Sequence, residues 1–265
     1  FEHHNKQVEG PERIIKFLSA HLPIKTEWNE YLYLAQLNQA FALKTCLEYW
    51  RTNKRTNGSI IWQINDCWPV SSWAIVDSDT KPKISYHFVK NSFAPQLIYF
   101  NNDGTNITIN LLNQTQFDLK GKLRCSILDS ITGKVVSEQN LKVNTKNSTI
   151  TEISSMFLKE LPANNNWILT AILLDESNNT ICKNYYTLKH WKHITLEKPQ
   201  LKIKVINKKE FTDLLIKSKN PVFFIDIYYP NITFSDRGFF LLPGEQIELK
   251  INERKLKSFK VNDIK

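Results

Sequence analysis

Methionine is almost absent from this sequence. It occurs once in 265 residues, at Met156, and the chain opens on Phe1. The first twenty residues lack the charged start, the apolar centre and the small-residue cleavage site of a secretory signal. We therefore expect a piece of a longer polypeptide or a processed product, and the composition excludes a disordered chain because 42% of the residues are hydrophobic.

Long apolar runs, paired cysteines and glycine-rich loops are also missing. No run approaches the roughly 18–20 residues of a membrane-spanning helix, so we expect no membrane partner. The four cysteines form no CxxC pair and no Cys/His spacing of a zinc site, so we expect no metal. Cys125 and Cys182 lie in strand-like runs, where they either pair in an oxidising compartment or stay as small buried thiols. No phosphate loop, nucleophile elbow or kinase signature occurs, and we expect no cofactor.

Positive charge is the one strong bias of the composition, with a formal net charge of +9. From Trp191 to Lys265 there are 15 Lys and Arg against 9 Asp and Glu, so +6 of this charge lies in the last quarter of the chain. The lysines are scattered between apolar strand positions and do not form a block. We interpret them as a solvated surface and expect no nucleic-acid partner, although charge alone would permit one.

The first ninety-five residues read as helices around one strand. Apolar spacing and Pro11 predict a helix that Pro23 stops, and a longer helix follows from about residue 26 to about residue 54. Ser59 to Ile64 is short, apolar on both faces and β-branched, which predicts a strand covered on both sides as in a parallel sheet. A third helix is predicted after Pro82.

Beyond Pro95 the pattern changes to short alternating runs bounded by Asn, Asp and Gly turns. Five to eight such strands over residues 96–190 predict an antiparallel sandwich. Residues 198–265 contain a second set, including "QLKIKVIN", "PVFFIDIYY", "GFFLLPGEQIELKI" and "LKSFKVN", which predicts a smaller sandwich. The predicted fold class is therefore α/β plus all-β.

Candidate binding residues follow the predicted strand at 59–64. In parallel α/β architectures the catalytic and ligand-binding side chains lie at the carboxyl ends of strands. An indole stacks on the apolar face of a sugar ring, while amides and carboxylates satisfy hydroxyls that would otherwise be buried unpaired. The alternative is that the two tryptophans are core aromatics and that the aspartate caps the next turn. The sugar-site candidates are Trp62, Gln63, Asn65, Asp66 and Trp68.

Other titratable groups are weaker candidates. The "EHH" at Glu2, His3 and His4 lacks helix-spaced histidines, and His87 falls within a predicted helix, where a core or surface role is the ordinary one. Two carboxylates placed for glycoside chemistry cannot be identified in the chain. We therefore assign no catalytic residue.

Several of these segments resemble one known family. They are "FEHHNKQVEGPERIIKFL", "YLAQLNQAFALKTCLEYWR", the block G-x-x-x-W-Q-[IL]-N-D-x-W-P from Gly58 to Pro69, "KPKISYHFVKNSFAP" and "FSDRGFFLLPGE". Together they are similar to the C-terminal part of β-mannosidases of glycoside hydrolase family 2. The resemblance implies that residues 1–95 are the C-terminal portion of a (β/α)8 TIM barrel, with 59–64 as its eighth strand. It also implies that 96–190 and 198–265 are two Ig-like β-sandwich domains.

The resemblance further implies a retaining exo-hydrolase that removes terminal non-reducing β-D-mannose. Its two catalytic glutamates would precede Phe1, so the isolated chain is expected to be inactive and to need the N-terminal part of the same polypeptide. Trp62 would wall the mannose subsite of a mannose-containing oligosaccharide or glycoside, with Gln63, Asn65, Asp66 and Trp68 as neighbours. Such an enzyme would be periplasmic or secreted in a bacterium and lysosomal in a eukaryote. The alternative is a non-catalytic carbohydrate-binding or interaction protein built on the sandwiches.

Overall fold

A computed structural model describes residues 1–53, 55–162, 166–207, 212–227 and 232–251. Three α-helices occur: α1 at Gly10–His21, α2 at Trp28–Thr52 and α3 at Ile84–Ser92. Short 3-10 helices lie at Glu2–His4, Leu158–Glu160 and Trp191–His193. The strands are β1 (Gln96–Asn102), β2 (Asn106–Asn113), β3 (Leu119–Asp129), β4 (Val135–Thr145), β5 (Thr149–Phe157), β6 (Trp167–Leu174), β7 (Thr180–Tyr186), β8 (Leu201–Asn207), β9 (Thr212–Ser218), β10 (Val222–Ile225), β11 (Phe239–Leu241) and β12 (Gln246–Ile251).

The chain divides into two compact units. One contains residues 1–44, 60–89 and 197–265, and the other contains residues 45–59 and 90–196. The domain boundaries expected from the sequence, after residues 95 and 190, stay predictions.

The three predicted helices are present, and local chemistry explains where they begin. Pro11 stands at the start of α1, where its missing N–H removes no helical hydrogen bond. Gly10 lies against the side chain of Asn5, and a Cβ atom at Gly10 would require that side chain to move. α2 begins after Glu27, whose carboxylate accepts the backbone N–H of Glu30 at 2.8 Å and so satisfies one of the free donors of the first turn.

The predicted strand at Ser59–Ile64 is wrong for this structure. Residues 59–64 form no strand, and Ile60 is 94% exposed. Only an isolated parallel bridge between Asn65 and Val76 follows them. A parallel strand is stable when strands on both sides complete its ladder, and the residues that the structure describes supply no such neighbour to 59–64.

Residues 96–186 form an antiparallel β-sandwich, as the alternating pattern predicts. One sheet has the order β1-β2-β5 and the other has the order β4-β3-β6-β7. Ile107, Ile109 and Leu111 of β2 alternate with polar residues and enter the shared core, because successive side chains of a strand point to opposite faces. β6 lies between β3 and β7 and is buried along nearly its whole length, which explains its continuous apolar run.

The last described segment carries a second, smaller set of strands. β8, β9 and β12 form an antiparallel sheet with β9 at its centre, and β10 pairs with β11. Leu214, Ile216 and Leu249 are fully buried in the core of this region. The predicted strand "LKSFKVN" lies outside the described residues. Strands therefore predominate over helices, and the architecture is compatible with Ig-like β-sandwich domains.

Candidate functional site

The sequence-predicted sugar-site residues lie in one loop that runs from Gly58 to α3. Trp62 is 74% exposed, so its indole is open to solvent and is not packed among aliphatic side chains. Asn65 is also exposed, whereas Gln63 and Trp68 are half-buried. The peptide bond between Trp62 and Gln63 is cis.

Backbone hydrogen bonds fold this loop back on itself. The N–H groups of Ile75 and Val76 both donate to the carbonyl of Ile64, at 3.1 and 2.8 Å. The N–H of Asp66 donates to the carbonyl of Val76 at 3.1 Å, and the N–H of Lys83 donates to the carbonyl of Ile75 at 2.9 Å. These bonds hold the residues that directly follow Trp62, so the exposed indole stands on a fixed support.

Asp66 has partners inside the protein. Its side chain is 4% exposed, and its Oδ2 atom lies 2.8 Å from Nζ of Lys83. Its Oδ1 atom accepts the hydroxyl of Ser72, which in turn accepts the N–H of Ala74 at 3.0 Å. Both carboxylate oxygens are therefore engaged inside the protein, and Asp66 braces the loop; its contact with a sugar hydroxyl stays a prediction. Burying an ion pair is tolerable only with such complete pairing.

Trp68 is held by the segment at the start of the chain. The imidazole of His4 stacks on it with 5.7 Å between ring centroids and 23° between ring planes. His4 Nδ1 donates to the carbonyl of Pro69 at 2.6 Å, and the N–H of Ser71 donates to the carbonyl of His4 at 2.7 Å. Nζ of Lys6 also lies over the Trp68 ring, 5.7 Å from its centroid. The Trp68 ring therefore has aromatic and cationic partners already, which leaves Trp62 as the open indole of the loop.

Two features of this site were missed from the sequence. The first is His4, which reads as a weak ligand candidate but acts here as the partner of Trp68. The second is Gln39 of α2, whose Nε2 donates to the carbonyl of Trp73 at 2.8 Å and whose Oε1 accepts the hydroxyl of Ser85 at 3.1 Å. An amide within the otherwise apolar inner positions of α2 is a signal that would have pointed to it.

The "FSDRGFF" segment packs against the residues around α3. Arg237 forms a two-pronged ion pair with Asp226 at 2.6 and 2.9 Å and donates to the carbonyl of Pro82 at 2.9 Å. Gly238 has φ +71°, and a Cβ atom there would lie 2.7 Å from side-chain atoms of Ile84 and Phe88. The left-handed backbone and the close approach both require glycine. The role of this segment is therefore tight packing.

Some kinds of site are not seen in the described part of the chain. No three His, Cys, Asp or Glu side chains of residues 1–53, 55–162, 166–207, 212–227 and 232–251 group as metal ligands. Within the same ranges, no helix combines the length and apolar character needed to cross a membrane. Cys46, Cys67, Cys125 and Cys182 are all free thiols, so Cys125 and Cys182 do not pair.

Comparisons with known proteins agree with this architecture. Residues 105–193, which cover most of the β1–β7 sandwich, match the model of the Mannosidase Ig/CBM-like domain. The chain is 28% identical over 158 residues to β-mannosidase B of Aspergillus niger and 22% identical over 271 residues to that of Aspergillus fumigatus. These alignments cover 53% and 94% of this chain but only 19% and 32% of the relatives.

Solved structures give the same picture. The structure of β-D-mannosidase from Dictyoglomus thermophilum matches with a TM-score of 0.86 and 29% identity, over 96% of this chain and 31% of that chain. The exo-chitosanase CsxA of Amycolatopsis orientalis matches with a TM-score of 0.71 at 17% identity, over 92% of this chain and 34% of that chain, which shows a shared fold alone.

By class of protein, the chain is similar to part of a glycoside hydrolase. More particularly, it resembles the C-terminal part of a family 2 β-mannosidase, as the sequence predicts. The chain spans about a third or less of the length of the relatives that it matches.

Proposed function

We propose that this chain is the C-terminal part of a retaining exo-β-mannosidase that removes terminal non-reducing β-D-mannose. The observation that carries the proposal is the open Trp62 indole. It stands on a braced loop, in a chain that aligns over 96% of its length with a β-D-mannosidase structure. An indole face binds the apolar C–H surface of a pyranose, so Trp62 would form one wall of the mannose subsite.

The neighbours of Trp62 divide into two roles. Asn65 and Gln63 retain exposed or partly exposed amides, which can donate to and accept from sugar hydroxyls. Asp66 and Trp68 hold the loop through Lys83 and His4, so their contribution to binding is indirect. Neither pair supplies the reactive carboxylates.

The two glutamates of the reaction would lie N-terminal to Phe1. In retaining glycosidases one carboxylic acid protonates the leaving oxygen and the other attacks the anomeric carbon, with the carboxyl groups about 5–5.5 Å apart. We also propose that residues 1–95 belong to the C-terminal portion of a (β/α)8 barrel. The alignment of 96% of this chain with a β-D-mannosidase structure supports this part of the proposal.

The proposal is tested by activity and by binding. The isolated chain should not hydrolyse 4-nitrophenyl β-D-mannoside, and joining it to the polypeptide encoded upstream of Phe1 should give turnover. In that joined protein Trp62→Ala should lower kcat/KM for the aryl mannoside by at least tenfold. Trp50→Ala is the matched control, because Trp50 is also exposed but lies outside the loop. Turnover by the isolated chain would show that the carboxylates have been misplaced.

The second candidate is a non-catalytic carbohydrate-binding protein built on the sandwiches. The match of residues 105–193 to an Ig/CBM-like domain supports this second candidate. The two candidates differ in where sugar would bind. Loss of mannoside binding in Trp62→Ala supports the hydrolase, whereas binding that survives this change and maps to β1–β7 by chemical-shift perturbation supports the sandwich.

A further inference from the structure

The four-stranded sheet of the β1–β7 sandwich ends in a strand with one uncovered side. β4 stands first in the order β4-β3-β6-β7 and is paired with β3. Among the residues that the structure describes, no strand pairs with its other side. With 11 residues, β4 is about twice as long as a common strand. Its uncovered side presents a long row of backbone N–H and C=O groups, which can accept a further strand.

The first half of β4 also leaves apolar side chains open to solvent. Val135 and Val136 are 51% and 54% exposed, and Ile131 in the preceding turn is 45% exposed. The register with β3 shifts near Val136, and the pairing is regular over residues 137–145. The middle of β4 is therefore a regular extended strand on which a second strand could pair.

The edge formed by β8 in the smaller sheet is built differently. β8 is the outer strand of the order β12-β9-β8, and its exposed positions include Lys202 and Lys204. Charges of a single sign repel a second copy of the same strand, and lysines are a common protection of sheet edges. β4 instead carries one acid and one base at exposed positions, Glu138 and Lys142.

The spacing of Glu138 and Lys142 makes β4 complementary to itself. Opposite side chains in an antiparallel pair point to the same face, so two symmetric β4 strands have their two-fold axis at a residue. With the axis at Asn140, Glu138 of each copy lies opposite Lys142 of the other. An axis at Glu138 or at Lys142 would place like charges opposite each other. An axis at Gln139 or at Leu141 would place both charges opposite uncharged side chains. Asn140 is also the middle residue of β4, so this axis gives the longest overlap of the two strands.

The charges within one copy favour the same register. Lys142 lies directly opposite Lys122 of β3, and like charges at opposite positions destabilise a sheet. Glu138 lies opposite Ser126, whose hydroxyl donates to its Oε2 atom at 3.0 Å and so holds the carboxylate on this face. Glu138 and Lys142 share the face because four residues separate them. The Glu138 carboxylate of a second copy would lie on the other side of Lys142 and offset the repulsion by Lys122.

We propose that β4 is an interaction edge for a second copy of this chain. Two β4 strands pair antiparallel about Asn140 and join two four-stranded sheets into one sheet of eight strands. Main-chain hydrogen bonds and two ion pairs between Glu138 and Lys142 hold the copies together. An edge contact of this kind is small, so the Kd of the dimer lies in the micromolar range. The inference is independent of the proposed function, because β4 lies outside the loop that carries Trp62.

The first test reverses charges in the 265-residue chain and measures the Kd of the dimer by sedimentation equilibrium. Glu138→Lys and Lys142→Glu should each raise the Kd about tenfold, because two opposite-charge pairs become two like-charge pairs. The chain with both changes should regain the original Kd, and an equimolar mixture of the two single variants should form a heterodimer. Lys120→Glu is the matched control and should leave the Kd unchanged, since Lys120 is an exposed lysine of the same sheet on β3.

The second test measures the register of the two strands. Cys46→Ser and Cys67→Ser first remove the exposed thiols. In this background a short bismaleimide should crosslink two copies of Asn140→Cys, because Cβ atoms of directly opposite residues lie about 4.5–5.5 Å apart. Asn144→Cys is the control, since the two introduced thiols would lie about eight positions, or roughly 26 Å, apart along the strands. It should not be crosslinked.

Several results would overturn the proposal. They are a chain that stays monomeric at its highest soluble concentration, a dimer whose Kd is the same in Glu138→Lys, and single variants that do not combine into a heterodimer. Equal crosslinking of Asn140→Cys and Asn144→Cys would exclude the axis at Asn140. If circular dichroism shows that Glu138→Lys does not fold, Lys142→Glu alone carries the charge test, because Lys142 is exposed.

Discussion

The β1–β7 sandwich and the segment from Gly58 to Lys83 use their apolar residues in opposite ways. The sandwich buries Ile107, Ile109 and Leu169 completely, and both of its sheets have paired central strands. The loop segment leaves Ile60, Trp62 and Ile64 open and is held by hydrogen bonds and one buried ion pair. The sandwich covers its apolar residues internally, whereas large exposed apolar side chains commonly mark a surface that binds something.

Asp66→Asn should have the largest effect, and it should fall on the loop. Removing one partner of a buried ion pair leaves the other charge uncompensated and costs about 3–5 kcal/mol. Native-state hydrogen exchange should show faster exchange for the amides of Ile75 and Val76, with β6 amides unchanged. Asp79→Asn is the control, because Asp79 is exposed and lies 4.0 Å from Lys81, so about 0–1 kcal/mol is expected. Equal effects of the two changes would contradict the bracing role of Asp66.

Leu169→Ala should destabilise the β1–β7 sandwich and leave the amides of the loop unchanged. Leu169 is fully buried at the centre of β6, and truncating a buried leucine costs about 2–5 kcal/mol through lost burial and a residual cavity. The midpoint of urea unfolding of the sandwich, followed by exchange of the β3 and β6 amides, should fall accordingly. Ile60→Ala should change the free energy of unfolding of the sandwich by less than about 0.5 kcal/mol, because Ile60 is 94% exposed. A comparable loss in Ile60→Ala would mean that the loop is packed after all.

Tyr31→Phe and Tyr33→Phe should act in opposite directions. Tyr31→Phe removes a buried hydroxyl without a partner among the described residues, so stability should rise by about 1 kcal/mol. Tyr33 donates to the carbonyl of Phe224 at 2.7 Å, and Tyr33→Phe removes this part-buried hydrogen bond at a cost of about 0.5–1.5 kcal/mol. Thermal unfolding of the two variants measures both signs. Destabilisation by Tyr31→Phe would show that its hydroxyl has a partner in solution.

The smallest effect concerns the thiols, and it is absent at neutral pH. Burial raises the pKa of Cys125 and of Cys182 from 9.0 to about 12, whereas Cys46 and Cys67 are exposed. In the unfolded chain these thiols lose their protons near pH 9, but in the fold they keep them. Their contribution to stability is therefore complete below pH 9 and is lost as the pH rises toward 12. A disulfide reagent at pH 8 should modify two thiols quickly and all four only after denaturation; four fast thiols would contradict the burial.

Periodicity predicted most of the fold, and its failures have physical causes. The strands β2, β3, β6 and β7 show the expected alternation or apolar run. Three strands, β1, β5 and β9, were not singled out from the sequence. "TITEISSMF" of β5 is largely polar, and Asp213 interrupts the apolar pattern of "TDLLIKS" in β9. Pairing with β2 makes the first segment a strand, and pairing with β8 and β12 makes the second one. Strand formation depends on such partners more than on local preference.

The candidate site was predicted in composition but not in arrangement. Trp62, Gln63 and Asn65 lie in one loop with solvent-facing or partly exposed groups, as the motif indicates. The roles of Asp66 and Trp68 depend on Lys83 and His4, which lie 17 and 64 residues away along the chain. No local pattern reports contacts between residues so far apart.

The amino-acid sequence by itself determined the three helices, the turn-bounded strands and the resemblance to β-mannosidases, because these depend on spacing and on short motifs. Only the tertiary structure decided which aromatic rings are open and which carboxylate is used internally. The physical reason is that exposure and charge pairing are properties of the assembled surface: whether Asp66 meets water or Lys83, and whether an indole meets solvent or His4, depends on which distant segment packs against it.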